Sequence, residues 1–255
     1  MYLKFIGIIP ARYESTRFPG KPLAKIGDKS MIQRVYERVS SILDDVIVAT
    51  DDSDIYKEVK YFEGEVIMTS PEHKNGTERC AEAFKLYTNE TGKKYDGIIN
   101  IQADEPFVTP KQIKTLMNCF LDKTVEIATL IKKIKNKEEI LDPNVVKAVV
   151  SKMGTALYFS RSPIPYARGL EQDKWLENYK YYRHVGIYGY KPDTLAKISK
   201  FEQSNLELAE SLEQNRWLEE EYQIKTATTQ YDSIAIDTPE DIQKAIDMGL
   251  INDED

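Results

Sequence analysis

The sequence predicts an α/β protein of three layers (α/β/α), in which a mostly parallel sheet lies between helices. Short apolar runs alternate with stretches of helical periodicity over the first half of the chain, and this alternation is typical of βαβ units and a parallel sheet. A β-rich stretch then breaks the alternation. Because the 255 residues contain no repeat and no linker, we expect one domain covering residues 1–255.

The first half of the chain supplies four predicted strands. Each is a short apolar run, and they cover Leu3–Ile9, Val46–Thr50, Glu65–Met68 and Gly97–Ile101. Pro10 is expected to end the first strand, because proline has no N–H to donate. Apolar side chains at helical spacing predict helices over 32–43, 53–61, around Phe84 and over 113–121. Capping-box patterns at Ser30 and Thr109 mark the starts of the first and last of these helices.

The second half is predicted to be less regular. Two β-rich runs, Val145–Ser151 and Thr155–Ser160, predict a hairpin because only a short turn separates them. The stretch 163–182, rich in Pro, Trp and Tyr, is expected to be an irregular insertion with exposed aromatics at Trp175, Tyr179, Tyr181 and Tyr182. The remaining predicted elements are a strand over 184–190, a helix over 207–220, strands over 223–229 and 233–236, a helix from Pro239 to a stop at Gly249, and an acidic tail over 251–255.

Composition excludes several classes of protein. Apolar residues at 41% and charged residues at 30% are typical of a soluble globular protein. No apolar run reaches the ~18 residues of a membrane span, and the N-terminus lacks a signal-peptide pattern. Cys80 and Cys119 are predicted to be free thiols. A net charge of −7 argues against nonspecific nucleic-acid binding. We therefore expect a cytoplasmic protein that has neither nucleic acid nor membrane as a partner.

The loop after the first strand is predicted to bind an anion. It carries Arg12, Arg17 and Lys21 together with the hydroxyl of Ser15. Open α/β sheets bind ligands at the carboxyl ends of their strands, and cations with hydroxyls suit a polyphosphate. The chain contains neither a G-x-x-x-x-G-K-[ST] nor a G-x-G-x-x-G pattern, so side chains are expected to hold the phosphates. The alternative is a solvated loop with scattered charges.

Two aspartates are candidate ligands of a Mg²⁺ ion. Asp104 follows the fourth predicted strand, and Asp237 precedes the final helix. Mg²⁺ commonly takes one or two protein carboxylates and completes its shell with water and substrate phosphates. Taken alone, Asp104 is better explained as a turn residue and Asp237 as the flank of a helix cap, so the residues themselves leave the structural alternative open.

Several motifs resemble those of one enzyme family. The motif at residues 10–23, PARYxSTRFPGKPL, closely resembles the opening of the 3-deoxy-manno-octulosonate (Kdo) cytidylyltransferases, the CMP-Kdo synthetases. NGTER at 75–79 resembles the loop that covers base and ribose in that family, where Thr77 also has the alternative role of a helix cap. QADEP at 102–106 resembles the family's Q-G-D-E-P motif, with Ala103 in place of Gly. The match continues, motif by motif, to the final helix.

The resemblance implies a role for individual residues. The implied catalytic residues are Arg12, Lys21, Asp104 and Asp237, of which the two aspartates hold Mg²⁺. The implied nucleotide contacts are Ala11, Arg12, Ser15, Arg17, Lys21, Asn75, Gly76 and Arg79. The implied sugar contacts are Gln102, Arg161, His184, Tyr188, Glu213 and Gln214, with Arg161 suited to the sugar carboxylate. For the histidine, a satisfied core residue is a strong alternative.

The resemblance also implies fold, function and assembly. It implies a Rossmann-like nucleotide-diphospho-sugar transferase fold and a homodimer formed through a small β-rich insertion at about 145–182. The implied reaction is Mg²⁺-dependent and joins CTP and Kdo into CMP-Kdo and pyrophosphate for lipopolysaccharide biosynthesis in the cytoplasm. Two alternatives remain: activation of a related or 8-amino 3-deoxy sugar acid, and a noncatalytic nucleotide-binding regulator. Paired metal carboxylates argue against the regulator.

Overall fold

The computed structural model describes residues 3–15, 18–232, 235–247 and 250. Its strands are β1 (Phe5–Ala11), β2 (Lys25–Ile26), β3 (Lys29–Ser30), β4 (Asp45–Thr50), β5 (Val66–Met68), β6 (Gly97–Asn100), β7 (Ile127–Lys133), β8 (Lys147–Val150), β9 (Ala156–Ser160), β10 (Tyr182–Tyr190) and β11 (Ile224–Thr228). Its helices are α1 (Met31–Ser40), α2 (Ser53–Tyr61), α3 (Gly76–Thr91), α4 (Pro110–Asn118), α5 (Lys137–Leu141), α6 (Trp175–Asn178), α7 (Pro192–Ile198), α8 (Asn205–Glu210), α9 (Gln214–Glu219) and α10 (Pro239–Asp247). The predicted α/β class is confirmed.

Some predictions fall outside the described residues. They are Arg17, two residues of the last predicted strand, the stop at Gly249 and the tail 251–255. Ile236, in the described part of that predicted strand, lies in no regular strand. Both cysteines are free, with Cys80 buried and Cys119 partly exposed. Within the described ranges, no helix combines the length and the apolar content that crossing a membrane requires.

The chain divides into two compact units. The first consists of Met1–Lys114, Lys191–Ser199 and Asp232–Asp255, and the second of Thr115–Tyr190 and Lys200–Tyr231. Each unit is assembled from separated stretches of the chain, so the chain returns to the first unit twice. The single domain expected from the sequence stays a prediction.

The first unit is built on a parallel sheet with β1 near its centre. Its strands run in the order β6-β1-β4-β5, and all of these neighbours are parallel. All seven residues of β1 are buried, as the apolar run predicts. Because the strands are parallel, their carboxyl ends meet at one edge. That edge therefore carries the loop after β1, the loop after β5 and the turn after β6.

Contrary to the expectation from the sequence, β1 continues through Pro10 to Ala11. The carbonyl of Ile8 accepts the N–H of Ile101, so Ile8 and Pro10, two residues on, direct their main chains to the same side. Residue pairing with β6 ends at Ile8, whereas pairing with β4 continues to Ala11. The main chain of Pro10 therefore faces the β6 side, where residue pairing has already ended. No described strand on that side needs the N–H group that proline lacks.

An ion cluster around the buried Asp45 lies at the opposite end of this sheet. The Asp45 carboxylate contacts the ammonium groups of Lys4 and Lys93. Burial alone raises the pKa of Asp45, but hydrogen bonds from Lys93, Tyr95 and Lys4 outweigh this effect and lower the pKa to about 2, below its ordinary 3.8. The ionised carboxylate therefore stabilises the folded state.

We expect Asp45→Asn to lower the free energy of unfolding at pH 7 by about 1–2 kcal/mol, after allowance for solvent screening. Because the pKa is lowered on folding, this contribution is present above pH 4 and is lost as the pH falls toward 2. Urea denaturation at pH 7 and at pH 3 measures the difference. Asp54→Asn, which removes an exposed carboxylate, serves as the control. A deficit of equal size at both pH values would contradict the prediction.

The second unit is organised around β7, a strand that the sequence did not predict. β7 pairs in parallel with β11 and antiparallel with β10. The predicted hairpin is confirmed: β8 and β9 pair antiparallel, and β8 also pairs with β10. Helix α5 of this unit and helix α7 of the first unit were likewise not predicted from the sequence.

The aromatic stretch of the second unit forms a small core of its own. Trp175 and Tyr181 are 3% and 0% exposed, and their rings stack with centroids 6.0 Å apart. Ile134 and Ile140 complete this cluster. The prediction of four exposed aromatics is therefore wrong for Trp175 and Tyr181, because the segment buries these two rings in its own small core. Tyr179 is exposed, as predicted.

The predicted helix over 207–220 is two short helices, α8 and α9. Ser211 adopts a left-handed conformation with φ 52° and ends α8. A buried ion pair spans the break, with Arg216 donating to both carboxylate oxygens of Glu207 at 2.6 and 2.7 Å. The break therefore places Glu213 at the start of α9.

Candidate active site

The loop after β1 is folded around Gly20. This glycine has φ 69°, and its N–H donates to the carbonyl of Tyr13 at 2.9 Å. A Cβ at this position would lie 3.1 Å from the Tyr13 ring, so the turn requires glycine. Lys21 follows at once and opens a short 3₁₀ turn, Lys21–Leu23. The backbone that carries Lys21 is thereby fixed.

Lys21 brings the two predicted metal ligands together. Its Nζ lies 2.6 Å from Asp104 Oδ2 and 3.2 Å from Asp237 Oδ1. The two carboxylate oxygens therefore cannot be farther apart than the sum of these distances. The Lys21 side chain is only 13% exposed. Three of the four predicted catalytic residues thus form one cluster, which lies within the first unit.

Main-chain hydrogen bonds hold Asp237 beside Asp104. The N–H of Ile236 donates to the carbonyl of Asp104 at 2.9 Å, and the buried Ile236 side chain packs in a core cluster with Ala245 of α10. Asp241 Oδ2 accepts the N–H groups of Asp237 and Thr238 at 3.2 and 3.0 Å and so caps the helix. Asp237 therefore does more than flank the helix, because its Oδ1 also contacts the Lys21 ammonium.

The carboxylate pair fits the chemistry of a Mg²⁺ site. Mg²⁺ is held in proteins by one or two carboxylates, with water and phosphate oxygens completing its shell. Across the residues that the structure describes, no group of three or more His, Cys, Asp or Glu is arranged as a metal site. A cation held by Asp104 and Asp237 would therefore depend on substrate oxygens, and Mg²⁺ binding stays a prediction.

A cavity of about 320 Å³ opens beside this cluster in the first unit. Seven of the predicted nucleotide contacts line it, namely Ala11, Arg12, Ser15, Lys21, Asn75, Gly76 and Arg79, together with Gln102 and Asp104. Arg12 is exposed, and no acid in the described part of the chain pairs with it. The cavity therefore offers cations to an anionic ligand, while the individual nucleotide contacts stay predictions.

The start of α3 forms one wall of the cavity. Asn75, not Thr77, caps this helix, because its side chain accepts the N–H of Glu78 at 2.8 Å. A Cβ on Gly76 would lie 3.3 Å from Gln102 Oε1 and 3.2 Å from Pro10 Cγ. Glycine at this position therefore allows the helix to start against Gln102, which was predicted as a sugar contact and lies in this wall.

Arg79 has a structural task that its motif did not indicate. Its guanidinium donates to Asp51 Oδ2 at 2.8 Å and to Thr69 Oγ1 at 2.7 Å, and the residue is only 4% exposed. It therefore ties the loop after β4 to the loop after β5. Arg79 also lines the cavity, and the predicted nucleotide contact through it stays a prediction.

His73 also lines the cavity, although it was not predicted from the sequence as a site residue. Its Nε2 lies 2.6 Å from Glu82 Oε2, and the same oxygen accepts the N–H of Ser70 at 2.8 Å. Burial raises the pKa of Glu82, but these hydrogen bonds outweigh it and lower the pKa. His73 is one of only two histidines in the chain, and it lies just before the NGTER motif. This position could have indicated it as a site residue.

In the second unit, the structure brings together several predicted sugar contacts. His184 Nε2 lies 3.0 Å from Thr129 Oγ1, and its ring centroid is 5.3 Å from that of Tyr188. A bulge between Val185 and Tyr188 shifts the register of β10. Burial and the nearby charge of Glu213 raise the pKa of Tyr188. Gln214, another member of this set, is buried at the start of α9.

Arg161, predicted as a ligand for a sugar carboxylate, makes several hydrogen bonds within the chain. Its guanidinium nitrogens donate to the carbonyls of Glu210, Pro143 and Ser211 at 2.8, 3.0 and 3.4 Å. Its own N–H donates to the Glu210 carboxylate at 2.9 Å. These bonds hold Arg161 against the chain that precedes α9, and three of them use only three of the five guanidinium donors. The predicted contact with a sugar carboxylate therefore stays a prediction.

His184 is expected to stay neutral throughout the physiological pH range. Burial lowers its pKa to about 3 from an ordinary 6.5. Its imidazole proton resonances should therefore not shift between pH 5 and pH 8 in an NMR titration, and His184→Gln identifies them by their loss. A midpoint near pH 6.5 for His184 would contradict the prediction. A neutral ring can both donate and accept hydrogen bonds, as sugar hydroxyls require.

Comparison with known proteins places this geometry in a family. A family model described as cytidylyltransferase matches residues 6–226. A 3-deoxy-manno-octulosonate cytidylyltransferase of Parabacteroides distasonis is 52% identical over 96% of this chain and 97% of its own. One of the same name from Fusobacterium nucleatum is 48% identical, over 96% of each chain.

Solved structures agree with these relatives. A structure described as CMP:2-keto-3-deoxy-manno-octonic acid synthetase complexed with CTP has a TM-score of 0.87 and 39% identity, covering 97% of this chain and 98% of its own. A 4-diphosphocytidyl-2C-methyl-D-erythritol synthase from Anaerococcus prevotii, at 15% identity and a TM-score of 0.60 over 97% of each chain, shares the fold. The chain therefore belongs to the 3-deoxy-manno-octulosonate cytidylyltransferase family.

Proposed function

We propose that the protein transfers the cytidylyl group of CTP to Kdo and releases pyrophosphate, as a cytoplasmic step of lipopolysaccharide biosynthesis. The observation that supports this most strongly is the Lys21 cluster with Asp104 and Asp237, beside a cavity lined by the cationic loop. Relatives about half identical over nearly the whole chain carry that activity in their names.

In the proposed reaction, the anomeric hydroxyl oxygen of Kdo forms a bond to the α-phosphorus of CTP. The bond from that phosphorus to the oxygen bridging to the β-phosphorus breaks, pyrophosphate leaves with the electron pair, and the hydroxyl proton passes to solvent. Such a displacement needs positioning and charge neutralisation more than covalent catalysis. Arg12 and Lys21 would supply positive charge to the triphosphate.

Mg²⁺, held by Asp104 and Asp237, would neutralise phosphate charge and lower the pKa of the attacking hydroxyl. The chain's own groups would bind and orient the substrates. His184 and Tyr188 would hydrogen-bond sugar hydroxyls, and the neutral imidazole would do so without changing charge between pH 5 and 8. Glu213 and Gln214 would accept hydrogen bonds from further sugar hydroxyls. No residue is assigned as a dedicated general base.

The test is to incubate the protein with CTP, Kdo and Mg²⁺, assay pyrophosphate and identify CMP-Kdo by mass spectrometry. Parallel reactions with 8-amino and other 3-deoxy sugar acids measure which acceptor has the highest kcat/KM. Reactions with EDTA measure the metal requirement. A protein that binds CTP but releases no pyrophosphate with any of these acids would instead be a regulator.

We also propose a homodimer formed through the second unit. This unit exposes several apolar side chains on and near the β8–β9 hairpin, including Met153 at 77%, Leu157 at 59% and Tyr166 at 73%. Exposed apolar side chains of this size favour association. Sedimentation should show a dimer at micromolar concentration, and Leu157→Glu should shift it toward monomer. Tyr61→Glu, at an 84% exposed site of the first unit, is the control. A wild-type monomer would contradict the proposal.

A further inference from the structure

Lys21 occupies the position where a divalent cation would be held. The Asp104 oxygen that it contacts at 2.6 Å and the Asp237 oxygen at 3.2 Å are oxygens that a metal needs for direct ligation. Magnesium binds carboxylate oxygens at about 2.0–2.1 Å, so an ion on these oxygens would lie close to the ammonium, and the two positive charges would repel each other. The ammonium and the metal therefore compete for the carboxylate pair.

The backbone of Lys21 is fixed, but its side chain has two sets of possible partners. Gly20 and the 3₁₀ turn after it hold the main chain in place. The flexible four-carbon stem allows the ammonium to turn from the aspartates toward the cavity, which Lys21 itself lines together with Arg12. A triphosphate in that cavity would offer phosphate oxygens to the ammonium in place of the carboxylates.

We infer that Lys21 is a tethered counter-cation that keeps divalent metal off Asp104 and Asp237 until a triphosphate draws its ammonium away. This inference rests on the proposed function, because it takes the aspartate pair as the metal site of a nucleotidyltransferase. It assigns Lys21 a second role besides phosphate binding, which is to make metal binding depend on nucleotide. Free metal would then not occupy the site before the substrate that needs it.

The probe is Mn²⁺ alone, without nucleotide, with bound ion measured by electron paramagnetic resonance. Lys21→Met keeps the length of the side chain and removes its charge, and it should bind Mn²⁺ about tenfold more tightly than the wild type. Lys21→Arg, which keeps the charge, should bind as weakly as the wild type. Lys29→Met is the matched control, because it removes a lysine that pairs with Glu37 in the same unit. Adding Asp104→Asn to Lys21→Met should abolish the gain.

Thermal denaturation gives a second readout that does not depend on activity. Without Lys21 the two carboxylates lose the ammonium that contacts both of them, so Mn²⁺ should raise the melting temperature of Lys21→Met more than that of the wild type. Lys21→Gln, which keeps a hydrogen-bond donor, replaces the methionine variant if that variant does not fold. Equal Mn²⁺ affinity and equal thermal shifts in Lys21→Met (or Lys21→Gln) and the wild type would overturn the inference.

The two failures can be told apart. If the wild type releases pyrophosphate from CTP and Kdo while removal of Lys21 leaves Mn²⁺ affinity unchanged, the proposed function stands and the counter-cation role is wrong. If removal of Lys21 creates a Mn²⁺ site but the wild type releases no pyrophosphate with any 3-deoxy sugar acid, the counter-cation role stands and the proposed function is wrong.

Discussion

Asp104→Asn and Asp237→Asn are each expected to abolish turnover and to leave CTP binding measurable. Each variant keeps the size of the side chain but removes a negative charge from the carboxylate pair that Lys21 contacts. The loss should be at least ~100-fold in kcat, the scale on which single charge contacts in a transition state act. CTP affinity should change little, since Arg12 and Lys21 remain to hold the triphosphate.

Pyrophosphate release and calorimetric titration with CTP measure the two quantities separately. Asp247→Asn is a suitable control, because it removes an exposed carboxylate from α10 without touching the Lys21 cluster. A variant of Asp104 or Asp237 that turns over at the wild-type rate would exclude that carboxylate from the mechanism. Loss of CTP binding in step with turnover would instead assign the aspartates to nucleotide binding.

Lys21→Ala is expected to leave the protein folded and to reduce kcat by at least ~100-fold. Its ammonium contacts both aspartates, and the turn that presents it depends on Gly20, not on the lysine side chain. Initial rates at saturating CTP and Kdo measure kcat, and circular dichroism checks the fold. Lys21→Arg retains the charge and should lose less activity than Lys21→Ala.

Near-wild-type kcat in a folded Lys21→Ala protein would remove Lys21 from the chemical step. An increase in KM for CTP with unchanged kcat would mean that Lys21 binds the triphosphate equally in the ground state and the transition state. Neither result would bear on the Mn²⁺ measurements, which concern the nucleotide-free protein.

The position of the candidate site could be predicted from sequence because parallel strands share an edge. The apolar run of β1 and the run that ends at Asn100 identify two such strands, and the loop with Lys21 and the turn with Asp104 necessarily follow them. Asp237 does not follow that rule, since Ala235 and Ile236, the described residues just before it, lie in no regular strand. A main-chain hydrogen bond from Ile236 to Asp104 brings it to the edge instead.

The partners of long cationic side chains could not be predicted. Arg79 and Arg161 stand in motifs that suggest ligand contacts, yet one pairs with Asp51 and the other with three carbonyls. A guanidinium has five donors and a reach of several residues, so its partners depend on tertiary neighbours that a local motif does not specify. The break at Ser211 was not predicted for a related reason. The residues of 207–220 suit one helix, whereas the ion pair between Glu207 and Arg216 across the break is a tertiary contact.

The hydrogen bond between Ile236 and Asp104 also affects when activity can arise during synthesis. The ribosome delivers Arg12, Lys21 and Asp104 with the first half of the chain, but Asp237 only after β11 has been made. Until then Lys21 has one carboxylate partner in place of two, whatever else has folded. Translation products that stop between β11 and α10 should therefore be inert, so premature termination would not release a protein with partial activity.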